Sequence, residues 1–444
     1  VLDELEGEAD LSPALKVLLA DAHLQAGQFQ LAGGLYAETA DLAGAQLGQG
    51  TIAWVQGDLE QATQHLERSL ELDPSLREAW IRKAEFDLTQ RNFDSAAAAF
   101  QALSALPGGE LTGRLGLART SLLLGDLVVA SEHIARFLAQ APGFTGGHYI
   151  DALIRHQQGD IDGAESALRE VQKTQPDHEP SLLVMGAVKL QQGQFGQAED
   201  NLRRYLARNR SSEAAAKLLA AVLHRQGDLA EVATLLSPYS GGTADPQLLA
   251  MLGAVQLQLG ETEQAVAILE RAVSMAPDSA MLRNQLALGL LSAGDESQAR
   301  VMLASALAVD GQQYESDYLS ALLYLKEGNP AAALDAANAM AAKHANNPSG
   351  PYLRGLAYLA QNKEAQASQA FAEALRIQQD FYPAVAHLAR LAEQRGDVQK
   401  AASLYRDYLR SQPEHVEARL AKAGMSRRLG DEVSAEQDLQ LLVS

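Results

Sequence analysis

A tight-turn signal returns about every 34 residues along this chain, and a period of that length leaves few folds open. The turn residues are Gly27, Gly57, Arg91, Gly125, Gly159, Gly193, Gly227, Gly260, Gly294, Gly328, Asn362, Gly396 and Gly430. From Gly57 onward the step is 34, apart from 33 between Gly227 and Gly260, and the first step is 30. Glycine or asparagine suits a backbone position with positive φ, which a turn between two helices requires. Arg91 is the misfit, with Asn92 beside it as the expected substitute. The repetition overrides the roughly three globular domains that a chain of 444 residues would otherwise suggest.

Two further columns fix the kind of unit that repeats. Seven residues before every turn stands glycine or alanine, from Ala20, Gly50 and Ala84 to Gly355, Ala389 and Ala423. Such a column marks a place where two helices approach too closely for a larger side chain. Five residues after each turn stands alanine, with Val232 as the one departure. One helical turn further on come Tyr36, Leu66, Phe100, Ile134 and their successors to Phe371, Tyr405 and Leu439, a buried stripe on the same face. Pro74, Pro142, Pro176, Pro277 and Pro413 follow their turns by seventeen residues, where a missing N–H ends the second helix. The spacing predicts, for one repeat, a first helix over 147–157 and a second over 162–173. Neither can bury its apolar face alone, so neighbours must stack.

Together these columns resemble the tetratricopeptide repeat over essentially the whole chain. The resemblance implies an all-α solenoid, a right-handed superhelix of about thirteen antiparallel helix pairs, continuous over 1–444. A bend is expected near 237–246, where Gly241-Gly242 and the prolines Pro238 and Pro246 coincide with the shortened step. Leu42 to Gly50, with three glycines, and Leu106 to Gly113, with Pro107-Gly108-Gly109, are the other irregular places, where interfaces or hinges can sit.

Composition narrows the function. A net charge of −20 repels phosphate backbones and anionic lipid surfaces, so nucleic acid is not an expected partner. Cysteine is absent, which removes disulfides, thiolate zinc sites and cysteine nucleophiles. The best apolar run, Leu248 to Leu259, is broken by Gly253, Gln256 and Gln258 and is shorter than the roughly 18 residues of a membrane span. The first residues, Val1 to Leu5, read like the end of a helix, and the chain has the look of a piece of a longer protein.

No phosphate-binding loop, zinc helix or nucleophile elbow is present; Gly424-Met425-Ser426 approaches the last, but Arg428 replaces its closing glycine. The ten histidines do not pair one turn apart, His148 and His156 standing eight residues apart. Acidic residues gather just after the turns, as at Asp58, Asp160, Asp228 and Asp295, where they cap free helix N–H groups. The expectation is a non-enzymatic chain with no metal and no cofactor.

The tetratricopeptide resemblance also implies where a partner binds. First helices line the concave surface, and contacts come from the second, fifth, sixth, ninth, twelfth and thirteenth positions, counting the turn residue as fifteenth. The fifth position then holds Tyr149, Tyr318 and Tyr352, and the twelfth holds Trp54, His156, His224 and Arg427. Tyr318 and Tyr352 are equivalent in successive repeats, with Leu322 and Leu356 one helical turn on. The candidate groove is therefore Tyr149, His156, Tyr318, Leu322, Tyr352 and Leu356, suited to protein or peptide. The alternative is that these tyrosines pack against the next repeat. Tyr324 and Tyr358, at the eleventh position, are expected in the core. The lysine and asparagine clamp of chaperone-binding relatives is missing, since Lys217 is followed by Ala221 and Asn284 by Leu288 at its ninth position.

Several stretches resemble a bacterial family, the repeat lipoproteins of PrsT type that accompany the exosortase/PEP-CTERM sorting and exopolysaccharide system. They are Gly147-His148-Tyr149-Ile150 with Gln157-Gln158-Gly159-Asp160, Pro180 to Leu183 through Gly186-Ala187-Val188, Leu202 to Leu206, and Lys217 to Ala220 followed by Gly227-Asp228. That resemblance implies an interaction scaffold in the bacterial envelope, in the periplasm or anchored by a lipid outside this segment. Its partners would be proteins or peptides of the envelope machinery. Two other classes stay open: a module binding exopolysaccharide directly, with Tyr149 and Trp54 stacking on sugar rings, and the substrate-recognition arm of a larger enzyme.

Overall fold

The structure is a computed structural model that describes residues 11–241 and 245–442. Among these residues it holds 26 α-helices in thirteen consecutive pairs, one short 3-10 turn and no strand. The chain divides into two compact units, Val1–Val222 and Leu223–Ser444. Within each, a second helix packs on its own first helix and on the first helix of the following pair. First helices also meet their successors, as Ala43–Gln56 meets Arg77–Thr89 and Tyr314–Lys326 meets Ser349–Ala360. Second helices do not pack on one another to the same degree.

The sequence columns explain this packing. The small residue seven before the turn faces the large residue nine after it, on the second helix of the same pair. A Cβ on Gly186 would lie 2.5 Å from Leu202 Cγ, and one on Gly253 would lie 2.7 Å from Leu269 Cγ. At Gly355 it would enter the ring of Phe371. The bulky side chain thus sits on bare backbone, and Leu202, Leu269 and Phe371 are fully buried there. The three glycines of 42–50 make no break, because they lie in the continuous helix Ala43–Gln56. Gly48 lets the ring of Tyr36 rest against this helix, and Gly116 does the same for Phe100. Pro107-Gly108-Gly109 is a true turn, with φ of 72° at Gly108, directly before the helix Glu110–Leu124.

Turn chemistry follows the expected column, with one correction. Arg91 itself adopts φ of 59°, while Asn92 has φ of −83°, so asparagine does not substitute for the missing glycine. The i→i+5 bond from Asn92 N–H to the Asp87 carbonyl dictates which residue takes the left-handed conformation. A non-glycine residue there is strained by roughly 1–2 kcal/mol. Arg91→Gly is therefore expected to stabilise the third repeat by about 1 kcal/mol, read as slower hydrogen exchange in the helices flanking the turn. Of the acidic caps, Asp58, Asp160 and Asp295 accept from the backbone N–H three residues on, whereas Asp228 makes no such bond.

The prolines do more than stop helices. Their carbonyls, exposed at a helix end, accept a side-chain donor six residues on: Trp80 Nε1 to Pro74 at 2.8 Å, His148 Nε2 to Pro142 at 2.7 Å, and Arg419 to Pro413. Ion pairs on buried carboxylates add further ties, the first between pairs and the second within one pair. Lys189 lies 2.6 Å from the Glu165 carboxylate, and Lys343 donates to Asp317 at 2.7 Å. In the seventh pair the second helix is short, Leu229–Leu236, and passes into the 3-10 turn Ser237–Ser240. Within the expected bend, 242–244 lie outside the described residues.

Candidate functional site

The helix Ala280–Ala293 opens with Ser279, whose side chain accepts from Leu282 N–H, and ends on Gly294. Met281 and Leu288 face outward, each 47% exposed, while Leu282, Leu286 and Leu290 are buried. Asn284 lies beside them, buried, its Oδ1 accepting from Ser316 Oγ at 2.8 Å on the next first helix. Met281 and Leu288 hold the second and ninth repeat positions, and neither belongs to the groove expected from the sequence, where Leu288 counts only against a chaperone clamp. The signal was available: both are large apolar residues at positions where an internal packing role is lacking.

On the next first helix, Tyr314–Lys326, Tyr318 and Leu322 are half-buried and pack on the cluster of Ala321, Ala337, Met340 and Leu353. Leu356 of the following helix joins the same cluster. Tyr352 sits deeper among rings, 5.4 Å from Phe381, 5.7 Å from Phe371 and 5.7 Å from His387. Burial pushes its hydroxyl pKa up, with the nearby Tyr318 adding to the rise. His387 stacks flat on Phe371 at 5.1 Å, and burial followed by the Arg390 charge pushes its pKa down. The structure therefore brings Tyr318, Leu322, Tyr352 and Leu356 together on successive first helices of the second unit. Their rings and branches also seal neighbouring repeats.

Tyr149 and His156 belong to the first unit. Tyr149 meets His178 edge-on at 5.3 Å and packs on the cluster around Ala152, Leu168 and Met185. Burial, then the neighbouring Tyr205, raises its pKa. His156 is half-buried, and its Nε2 has no hydrogen-bond partner. Tyr324 and Tyr358, expected in the core, are only half-buried. Tyr358 packs at the edge of the Phe371 cluster, and Tyr324 borders an open groove between second helices. The eleventh position is half covered because the second helices stand apart. Among the described residues no group of His, Asp and Glu side chains has metal-site geometry, and no helix is long and apolar enough to cross a membrane.

Four family models, each described as tetratricopeptide repeat, match residues 47–110 and 387–443, 155–222, 214–238 and 246–279. Those segments together span more than half of the chain. The chain is a tetratricopeptide-repeat protein. As such it is a protein-interaction scaffold, and scaffolds of this family are generally non-catalytic. Similar solved structures include yeast Tom70, 13% identical, with 96% of this chain and 99% of that one covered at a TM-score of 0.48. The APC/C hetero-tetramer Cut9-Hcn1 is 12% identical, with coverage of 95% and 91% and a TM-score of 0.40. PilF of Pseudomonas aeruginosa is 21% identical, with coverage of 44% and 90% and a TM-score of 0.37. No curated protein matches the chain in sequence.

Proposed function

We propose that this tetratricopeptide-repeat protein holds an apolar segment of a partner protein along its first helices between residues 280 and 360. We further propose that it works in the bacterial envelope, within an exopolysaccharide and protein-sorting system. The observation that carries the first part is the row Met281, Leu288, Tyr318, Leu322, Tyr352 and Leu356, whose two leading members are exposed without internal work. Single exposed apolar side chains are ordinary, but a row at family contact positions marks an interaction surface. Support for the second part is the likeness of Gly147 to Ile150, Leu202 to Leu206 and the other quoted stretches to PrsT-type lipoproteins.

Because Met281 and Leu288 are half exposed, replacing them tests binding without unfolding the repeat. Leu288→Asp is expected to leave the circular dichroism melt unchanged and to weaken partner binding by about 1–2 kcal/mol or more. A photo-crosslinker at 288 in the producing bacterium should form an adduct with an envelope protein, and one at the exposed Val128, on the second helix Leu127–Gln140, should not. Equal crosslinking at both positions, or binding of exopolysaccharide fragments in place of protein, would overturn the reading.

A further inference from the structure

The second helices Glu296–Val309 and Pro330–Lys343 stand apart, and the first helix Tyr314–Lys326 floors the gap. The space left is a groove of about 390 Å³. Ala304 and Leu307 form one wall, and Ala332 and Ala336 form the other. Short side chains keep it open. In its floor lies Asp317, only 3% exposed, with its Oδ2 accepting from Lys343 Nζ at 2.7 Å. At the rim stands Asp335, exposed and without an ion-pair partner among the described residues. Arg300 also borders the groove, but Glu327 binds it, and Lys326 nearby is held by Glu296 at 3.0 Å. The uncompensated charge of the groove is thus negative.

We infer that this groove is a second docking site, on the opposite helices from the proposed partner surface, and that it takes a lysine or arginine side chain of a protein partner. A long aliphatic stem fits against the alanine wall, and a cationic head pairs with Asp335 at the rim, above the Asp317–Lys343 pair in the floor. A neutral apolar segment would cover the Asp335 carboxylate without a partner, at a desolvation cost. The equivalent groove between Glu364–Ile377 and Val398–Leu409 supplies the contrast. It is bordered by Arg395, which Glu364 holds at 3.5 Å, and by Lys400, and its one carboxylate, Asp397, caps the helix by accepting from Lys400 N–H at 3.0 Å. The same architecture without an uncompensated carboxylate would not hold a cation.

The test uses the full chain and two probes, the blocked pentapeptide Leu-Ala-Arg-Ala-Leu and its counterpart with glutamine at the centre, titrated by isothermal calorimetry. The arginine peptide should bind and the glutamine peptide should not. Asp335→Asn, at an exposed site, and Ala336→Phe, which fills the groove, should each weaken binding by about five-fold or more, while Leu288→Asp leaves it unchanged. Equal binding of the two peptides, or an arginine peptide indifferent to both groove variants, overturns the inference. So does a loss caused by Leu288→Asp, which would place the peptide on the first helices. Asp335→Asn with an unaltered melt keeps the test valid where Ala336→Phe disturbs packing.

Discussion

Lys189→Met is expected to destabilise the fifth and sixth repeats by about 3 kcal/mol or more, because it strands a buried carboxylate. Lys189 is 3% exposed and Glu165 is 8% exposed, and they lie 2.6 Å apart between the helices Ile161–Thr174 and Glu179–Gln191. Gln192 donates to the other oxygen at 2.8 Å, and Arg169 reaches the carboxylate from solvent. Those contacts remain in the variant, so the lower end of the usual range for breaking a buried pair applies. Adding Glu165→Leu should recover most of the loss, since a buried ion pair is often no better than an apolar pair of similar volume. Hydrogen exchange of the two helices is the suitable measurement, as a repeat array need not unfold in one step.

The same pair predicts a pH dependence. Glu165 is held below its ordinary value of 4.5, first by the Lys189 hydrogen bond, against the desolvation that would raise it. A depressed carboxylate contributes stability that is complete above the unfolded pKa and is lost as pH falls through the lower folded value. In Lys189→Met the largest cause of the depression is gone. Its helices should therefore lose less protection on acidification than those of the parent; an equal acid-side loss in both would show that the pair is not its source.

The period and the two columns made the fold legible because each encodes a steric fact that recurs in nearly every repeat. A Cβ at Gly186 or Gly355 would collide with Leu202 or Phe371, and no compensation elsewhere in the chain relieves that. The places that escaped the sequence reading depend on one neighbour each. Arg91 keeps the strained turn conformation because the hydrogen-bond register demands it, whatever residue stands there. Gly48 stands in a stretch that reads as irregular, yet it is a seat for the ring of Tyr36 from the preceding repeat, as Gly116 is for that of Phe100. The candidate site was half legible. Repeat register located Tyr318 and Tyr352, but how far a ring is covered depends on the side chains of the next repeat, and Phe381 and His387 close over Tyr352 alone. The grooves between second helices leave no mark in the columns, because they arise where side chains are short.

Phe371→Ala is expected to cost about 3–5 kcal/mol, which makes it the other large effect among single substitutions. Phe371 is one of the two largest fully buried side chains, and three things depend on its ring. It covers the bare backbone of Gly355, it carries the flat-stacked His387 of the following repeat, and it backs Tyr352 at 5.7 Å. Removing it opens a cavity shared by two adjacent repeats. Tyr358→Ala, at the half-covered edge of the same cluster, should cost clearly less. Gly355→Val alone should also destabilise, by about 1–3 kcal/mol, because its side chain would enter the ring. In the double variant the valine occupies part of the space the ring has left, so the two losses should not add. Hydrogen exchange on the four chains decides it: protection in the helices Ser349–Ala360 and Tyr382–Gln394 should be higher in the double variant than in Phe371→Ala. Strict additivity would mean that ring and glycine do not share one space, and the explanation of the small-residue column would fail with it.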